Sequence, residues 1–227
     1  MATAAGVNLG VPKLEFPLRL IAADALGRIG PEARAVVPAL IATLSDPDSR
    51  VRGAAVGTLG QFGPEAATAA PELARLAARG TVWHVAQSAA WALARIGPAA
   101  HPAIEQAFHD PDPSTRERAV SRITSGGVLP LVPLVARCLD DPVADIRRAA
   151  VTALLSAAGR PEMLVAVPRL VVAFADDDEE VRDAACSMLG SASGLLLFPI
   201  AAITGYVPQP NMASDDGFEN EVRTVGR

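Results

Sequence analysis

Few side chains in this 227-residue chain are of types that do chemistry, and their spacing argues against most of it. The three histidines, His84, His101 and His109, are followed by Val85, Pro102 and Asp110. His101 and His109 are eight apart, too far for ligands on adjacent turns of one helix. With Asp110 they read as solvent-facing or capping groups. Cys138 and Cys186 have no zinc-ligand spacing and form no disulfide framework, and both are expected in the core as small apolar residues. The acidic run at 176–180 lacks the glycine and ligand alternation of a calcium loop and reads as a solvated helix start. No glycine-rich phosphate loop ending in Lys-Ser or Lys-Thr occurs, nor a Gly-x-Ser-x-Gly elbow. The residues therefore suggest no catalytic group, no metal and no cofactor.

One charged pattern recurs. Asp and Arg six positions apart occur as Asp46/Arg52, Asp110/Arg116, Asp141/Arg147 and Asp176/Arg182. Each Arg is followed after three residues by Ala (Ala55, Ala119, Ala150, Ala185) and after seven by Leu or Ile (Leu59, Ile123, Leu154, Leu189). Two further copies are partial. Arg19, Ala22 and Leu26 form the first, with Lys13 at the Asp position; Ala86, Ala89 and Leu93 form the third, with Gly80 and Ala86 at the Asp and Arg positions. The Asp residues stand where they can also cap the following helix, a negative charge meeting the positive end of the dipole.

The elements that position these residues follow from the same spacing. Offsets of three, four and seven mark one face of a helix. The six copies start near 19, 52, 86, 116, 147 and 182, at intervals of 30 to 35 residues, the range of solenoid repeats. Gly30-Pro31, Gly63-Pro64 and Gly97-Pro98 stop the first helix and start another chain direction, and Gly126-Gly127 and Gly159-Arg160-Pro161 serve later copies. A second apolar helix is predicted over 37–44, 73–78, 103–108, 131–139 and 165–174, with Pro38, Pro71, Pro102, Pro133 and Pro168 near its start. Proline is tolerated in a first turn and bends a helix that begins earlier. A lone pair of helices cannot bury its apolar face, whereas stacked pairs share a continuous core.

With Asp-x5-Arg-x2-Ala-x3-Leu and the Gly-Pro turns, the region from Leu14 to Gly190 resembles HEAT repeats, most closely the short bacterial PBS-lyase HEAT-like form. The resemblance implies an all-α, right-handed α-solenoid of six helical pairs, in an armadillo-type fold. It also implies that Asp46, Arg52, Asp110, Arg116, Asp141, Arg147, Asp176 and Arg182 form a structural ladder between neighbouring repeats. Bilin lyases of this family set the enzymatic alternative, an enzyme or accessory of phycobilisome-lyase type. Deoxyhypusine hydroxylase resembles the architecture but holds iron on His-Glu pairs, and none occurs here.

Composition narrows the partner. Twenty basic against 25 acidic residues give a net charge of −5, which argues against a nucleic-acid binder. No apolar run reaches the roughly 18 residues of a spanning helix, and 1–10 carries no secretory signal, so a cytoplasmic protein is expected. The organisation predicted is a loosely ordered arm at 1–13, the solenoid at 14–205, and a disordered polar, acidic tail at 206–227. An apolar stretch at 194–203 reads as a last helix, as a contact for a partner or dimer mate, or as a place where the natural chain continues or differs. The function expected is a non-catalytic scaffold or adaptor whose groove, lined by second helices, binds a protein or an acidic peptide. Contact candidates are Arg34, Thr43, Arg75, Arg79, Glu105, Arg137 and Arg169. Trp83 and Trp91, eight apart and within ~80° around a helix, either fill space beside small neighbours or, with His84 and Gln87, form a binding patch.

Overall fold

The structure, a computed structural model, describes residues 35–191 together with Ile21 and Ala25. Arg34, Arg19 and the other residues of the predicted first repeat helix apart from Ile21 and Ala25, the N-terminal arm, the apolar stretch at 194–203 and the acidic tail lie outside the described residues.

All elements described are helices, and long ones alternate with short ones. The long, Arg-bearing set is α2 (Ser49–Phe62), α4 (Trp83–Ile96), α6 (Pro113–Thr124), α8 (Ala144–Leu155) and α10 (Glu179–Ser191). The short set is α1 (Val37–Thr43), α3 (Ala70–Arg79), α5 (His101–Phe108), α7 (Val132–Arg137) and α9 (Val167–Ala173). Four complete pairs are thus described, flanked by the second helix of the first copy and the first helix of the sixth. The chain is an α-solenoid.

Local chemistry explains the alternation. Every short helix carries its proline within its first two residues, where the missing N–H is no loss. The segments before α3, α5, α7 and α9 cannot continue as α-helix through that proline and form 3₁₀ turns at Gly63–Ala69, Gly97–Ala100, Leu129–Leu131 and Pro161–Val165. The chain reverses at Gly63, Gly97, Gly127 and Gly159, the glycines with positive φ (56°, 76°, 134° and 76°). Glycine takes that conformation without the clash a Cβ would make.

The repeat positions form the core. Ala55, Ala89, Ala119, Ala150 and Ala185 are fully buried where neighbouring long helices approach, and Leu59, Leu93, Ile123 and Leu154 fill the layer between pairs. Each such aliphatic contributes about 1.5–3 kcal/mol. The long helices pack directly on one another along the stack, whereas α7 and α9 reach their neighbours largely through long helices and 3₁₀ turns. The long helices therefore form the continuous layer of the stack. Cys138 is buried as expected from its type, but Cys186 is exposed. Its counterparts Val56, Val120 and Val151 are covered by the next long helix, and no described helix follows α10. Among the described residues no helix is long and apolar enough to cross a membrane.

Candidate interaction site

The recurrent Asp and Arg meet in the loops between pairs. Arg116 donates from Nε to Asp141 Oδ2 at 2.8 Å and from Nη2 to Oδ1 at 3.0 Å. Arg147 does the same to Asp176, at 2.8 and 2.7 Å, and Nη2 also reaches Asp177. The third guanidinium nitrogen, Nη1, holds the preceding loop. It donates to the carbonyls of Asp110 and Pro111 from Arg116, of Asp141 and Pro142 from Arg147, of Asp46 and Pro47 from Arg52, and of Asp176 from Arg182. One arginine thus ties two successive loops. Bonding from the guanidinium holds the Asp176 carboxyl below its ordinary value and raises the pKa of Arg116 and Arg147.

Helix capping falls to a different aspartate. Asp46, Asp110, Asp141 and Asp176 accept from the backbone N–H two residues on, shaping the loop. Asp48, Asp112 and Asp178 then take the first N–H groups of α2, α6 and α10. The short side chain of the ladder aspartate is spent on the loop turn, and at α2, α6 and α10 the aspartate two positions later serves as cap, whereas Val143 before α8 supplies none.

The third copy departs from this scheme. Gly80 replaces the aspartate that would face Arg52, and a Cβ there would stand 2.4 Å from the Leu76 carbonyl oxygen. Ala86 replaces the arginine, and Asp110 turns instead to Arg79 at 2.6 Å. The loop is held from α6: Arg122 donates to the carbonyls of Ala77 and Gly80, and Arg118 to that of Ala78. These two arginines satisfy the C-terminal carbonyls of α3. They occur in one copy only, so periodicity gives no sign of them.

The second-helix arginines are engaged in ion pairs at the surface. Arg75 meets Glu72, Arg137 meets Glu105, and Arg169 meets Asp140 at 2.7 Å. Arg137 and Arg169 each span two repeats, and Thr43 bonds back to the Ala39 carbonyl. A groove of about 760 Å³ opens on the opposite side, among the long helices α6, α8 and α10. It is lined by hydroxyls (Ser114, Ser121, Thr124, Ser125, Thr152, Ser156) and by Glu117, Asp145, Glu180 and Arg148.

Trp83 and Trp91 stand on this long-helix layer, 69% and 55% exposed, so neither ring fills an internal space. Counted from the repeat arginine position, Trp83, His84, Gln87 and Trp91 occupy the places that Pro113, Ser114, Glu117 and Ser121 hold on the groove wall. Gln87 donates to Ser125, a groove residue, at 2.6 Å. On the neighbouring α2 the corresponding places are Gly53 and Gly57, where an added Cβ would meet nothing within 4 Å. Among the described residues no group of three or more His, Cys, Asp and Glu side chains could hold a metal.

Residues 15–94 match the family model for HEAT repeats, and residues 85–110 that for the PBS lyase HEAT-like repeat. No curated protein matches the sequence. Among solved structures, the complex of CpcE and CpcF of phycocyanin lyase from Nostoc sp. PCC7120 is 25% identical, with 84% of this chain and 77% of that chain covered and a TM-score of 0.41. A designed armadillo repeat protein in complex with the peptide (KR)4 is 18% identical, with 76% and 91% covered and a TM-score of 0.37. An engineered protein is 22% identical, with 80% and 93% covered and a TM-score of 0.39. The Asp-x5-Arg repeat, the stacked helical pairs and the two family matches over residues 15–110 support a HEAT-repeat protein of the PBS-lyase type.

Proposed function

We propose that the chain is a non-catalytic scaffold that holds a segment of a partner protein across its long-helix face, with Trp83 and Trp91 as anchors. The observation that carries this reading is a pair of largely exposed indole rings on α4 beside the bare backbone of Gly53 and Gly57 on α2. Glycine inside a helix costs about 0.5–1 kcal/mol relative to alanine, and at these two positions no neighbour requires it. We read the open space the glycines leave, on the helix packed against α4, as a trough for the partner segment. Tryptophan is enriched among residues that dominate binding energy. The partner segment would set apolar side chains against the rings and polar groups along the hydroxyl-lined groove at α6 and α8. His84, exposed beside Trp83, supplies a polar contact at the trough entrance.

Affinity capture from a lysate of the source organism tests this. A protein retained in stoichiometric amount by the wild type and lost with the W83S/W91S variant, at unchanged Tm, is the expected result. Equal retention by both would remove the rings from the interface. A second reading, an accessory of bilin-lyase chemistry, draws on the PBS lyase HEAT-like match at 85–110. Visible absorbance from a chromophore carried by the purified protein would favour it.

A further inference from the structure

Arg52 has a guanidinium edge that Arg116 and Arg147 use and that Arg52 leaves open. In Arg116 and Arg147 the Nε/Nη2 edge takes a carboxylate in bidentate fashion while Nη1 holds the preceding loop. Arg52 keeps the second half of this arrangement, with Nη1 2.7 Å from the Asp46 carbonyl and 3.0 Å from that of Pro47. Its side chain is therefore set in the repeat pose. The position its Nε/Nη2 edge faces is Gly80, and among the described residues no carboxylate reaches that edge. The loop carrying Gly80 does not need the rung, because Arg122 and Arg118 hold it from α6.

The result is a cleft of about 400 Å³ that Arg52, Arg75 and Arg79 line together with Gly80 and Thr81. Arg75 and Arg79 stand at the rim, committed to Glu72 and Asp110, and Asp46 lines the cleft as well, so the cation open to a ligand is Arg52. A preorganised guanidinium with its fork open matches a planar carboxylate.

We propose that this cleft is a carboxylate slot, in which a Glu or Asp side chain of a partner peptide completes the ladder on Arg52. The proposal rests on the reading of the chain as a scaffold for a protein segment, and it adds the recognition chemistry: an acidic residue near the apolar group that meets Trp83. The cleft and the ring are close in the chain, since Thr81 lines the cleft and Trp83 opens α4.

The repeat itself supplies the test. Asp177 shows that a carboxylate one position beyond the ladder site reaches the arginine of the preceding long helix, as it does with Arg147. Thr81 is the corresponding residue for Arg52 and is exposed, so T81D can close the slot from within without the clash at position 80. The probe is a fluorescently labelled hexaglutamate peptide, followed by anisotropy at low salt on the full chain, with Tm measured for each variant. Wild type and T81N should bind it saturably at one site, with affinity falling as salt rises. T81D should bind at least about tenfold more weakly, the equivalent of one bidentate contact, and R52K should also be weakened, since an ammonium cannot present the fork. Equal affinity of T81D and T81N, or no saturable binding by the wild type, overturns the proposal. A chain that captures its partner through Trp83 and Trp91 but ignores hexaglutamate refutes the slot alone.

Discussion

Replacing Arg147 with alanine is the sharpest perturbation of the ladder. The Arg147 side chain is 11% exposed and that of Asp176 10%. The substitution removes two donors from Asp176, one from Asp177, and the donor that serves the carbonyls of Asp141 and Pro142. Asp176 keeps only the backbone N–H of Asp178. Leaving one member of a buried pair without its partner costs about 3–5 kcal/mol. Asp177 is solvated and loses little, so the lower end applies: about 3 kcal/mol, or roughly 6–12 °C in Tm for a domain of this size. Urea unfolding of wild type, R147A, D176N and the double variant measures it, and the cycle isolates the pair. The pH dependence has a definite sign. The folded-state pKa of Asp176 is lowered by Arg147, so the pair's contribution is complete above the ordinary value of 3.8 and lost as pH falls through the lower folded value. The gap between wild type and R147A should therefore be full at neutral pH and close in acid below about pH 4. R52A, which forfeits only bonds to two carbonyls, should cost about 1 kcal/mol. A loss below ~1 kcal/mol for R147A, or equal losses for R52A and R147A, would refute the reasoning.

Other outcomes follow from single positions. G57A should raise stability by about 0.5–1 kcal/mol, because a helical alanine replaces glycine in open space, while weakening partner capture by narrowing the trough. G60A should gain less or lose, since its Cβ would stand 3.3 Å from Ala92; thermal melts of the two variants compare them. G97A should cost about 1–3 kcal/mol through backbone conformation alone, as φ +76° with ψ −145° is essentially closed to other residues and nothing lies within 4 Å of the added Cβ. Cys186 should react with a chromogenic disulfide reagent in the native protein. Cys138 should react only on unfolding, being buried with its pKa pushed up to about 12 by desolvation.

The fold was legible because its requirements fall on single residue types at fixed spacing. Only glycine suits the positive-φ reversals at Gly63, Gly97, Gly127 and Gly159, and only a first turn suits Pro71, Pro102, Pro133 and Pro168. The buried stripe of Ala55, Ala119 and Ala150 repeats for the same reason, since each admits the next long helix. The interaction surface was harder to read. The groove on the long-helix layer depends on how α6, α8 and α10 stack, which no single residue type encodes. The arginines of the short helices read as contacts, but partners such as Glu105 and Asp140 lie about a repeat away, and no local pattern marks them. The glycine face of α2 lies thirty or so residues before Trp83 and Trp91 and is brought beside their helix only when the pairs stack.

The central claim is that a partner lies on the long-helix side of the stack. Site-specific photo-crosslinking in the source organism tests it most directly, with the photoreactive residue placed at Gly57, in the trough beside Trp91, or at Val172, 70% exposed on the short helix α9. A discrete crosslinked adduct from position 57 and none from 172 is predicted. An adduct from 172 alone would put the partner on the opposite layer and contradict the account.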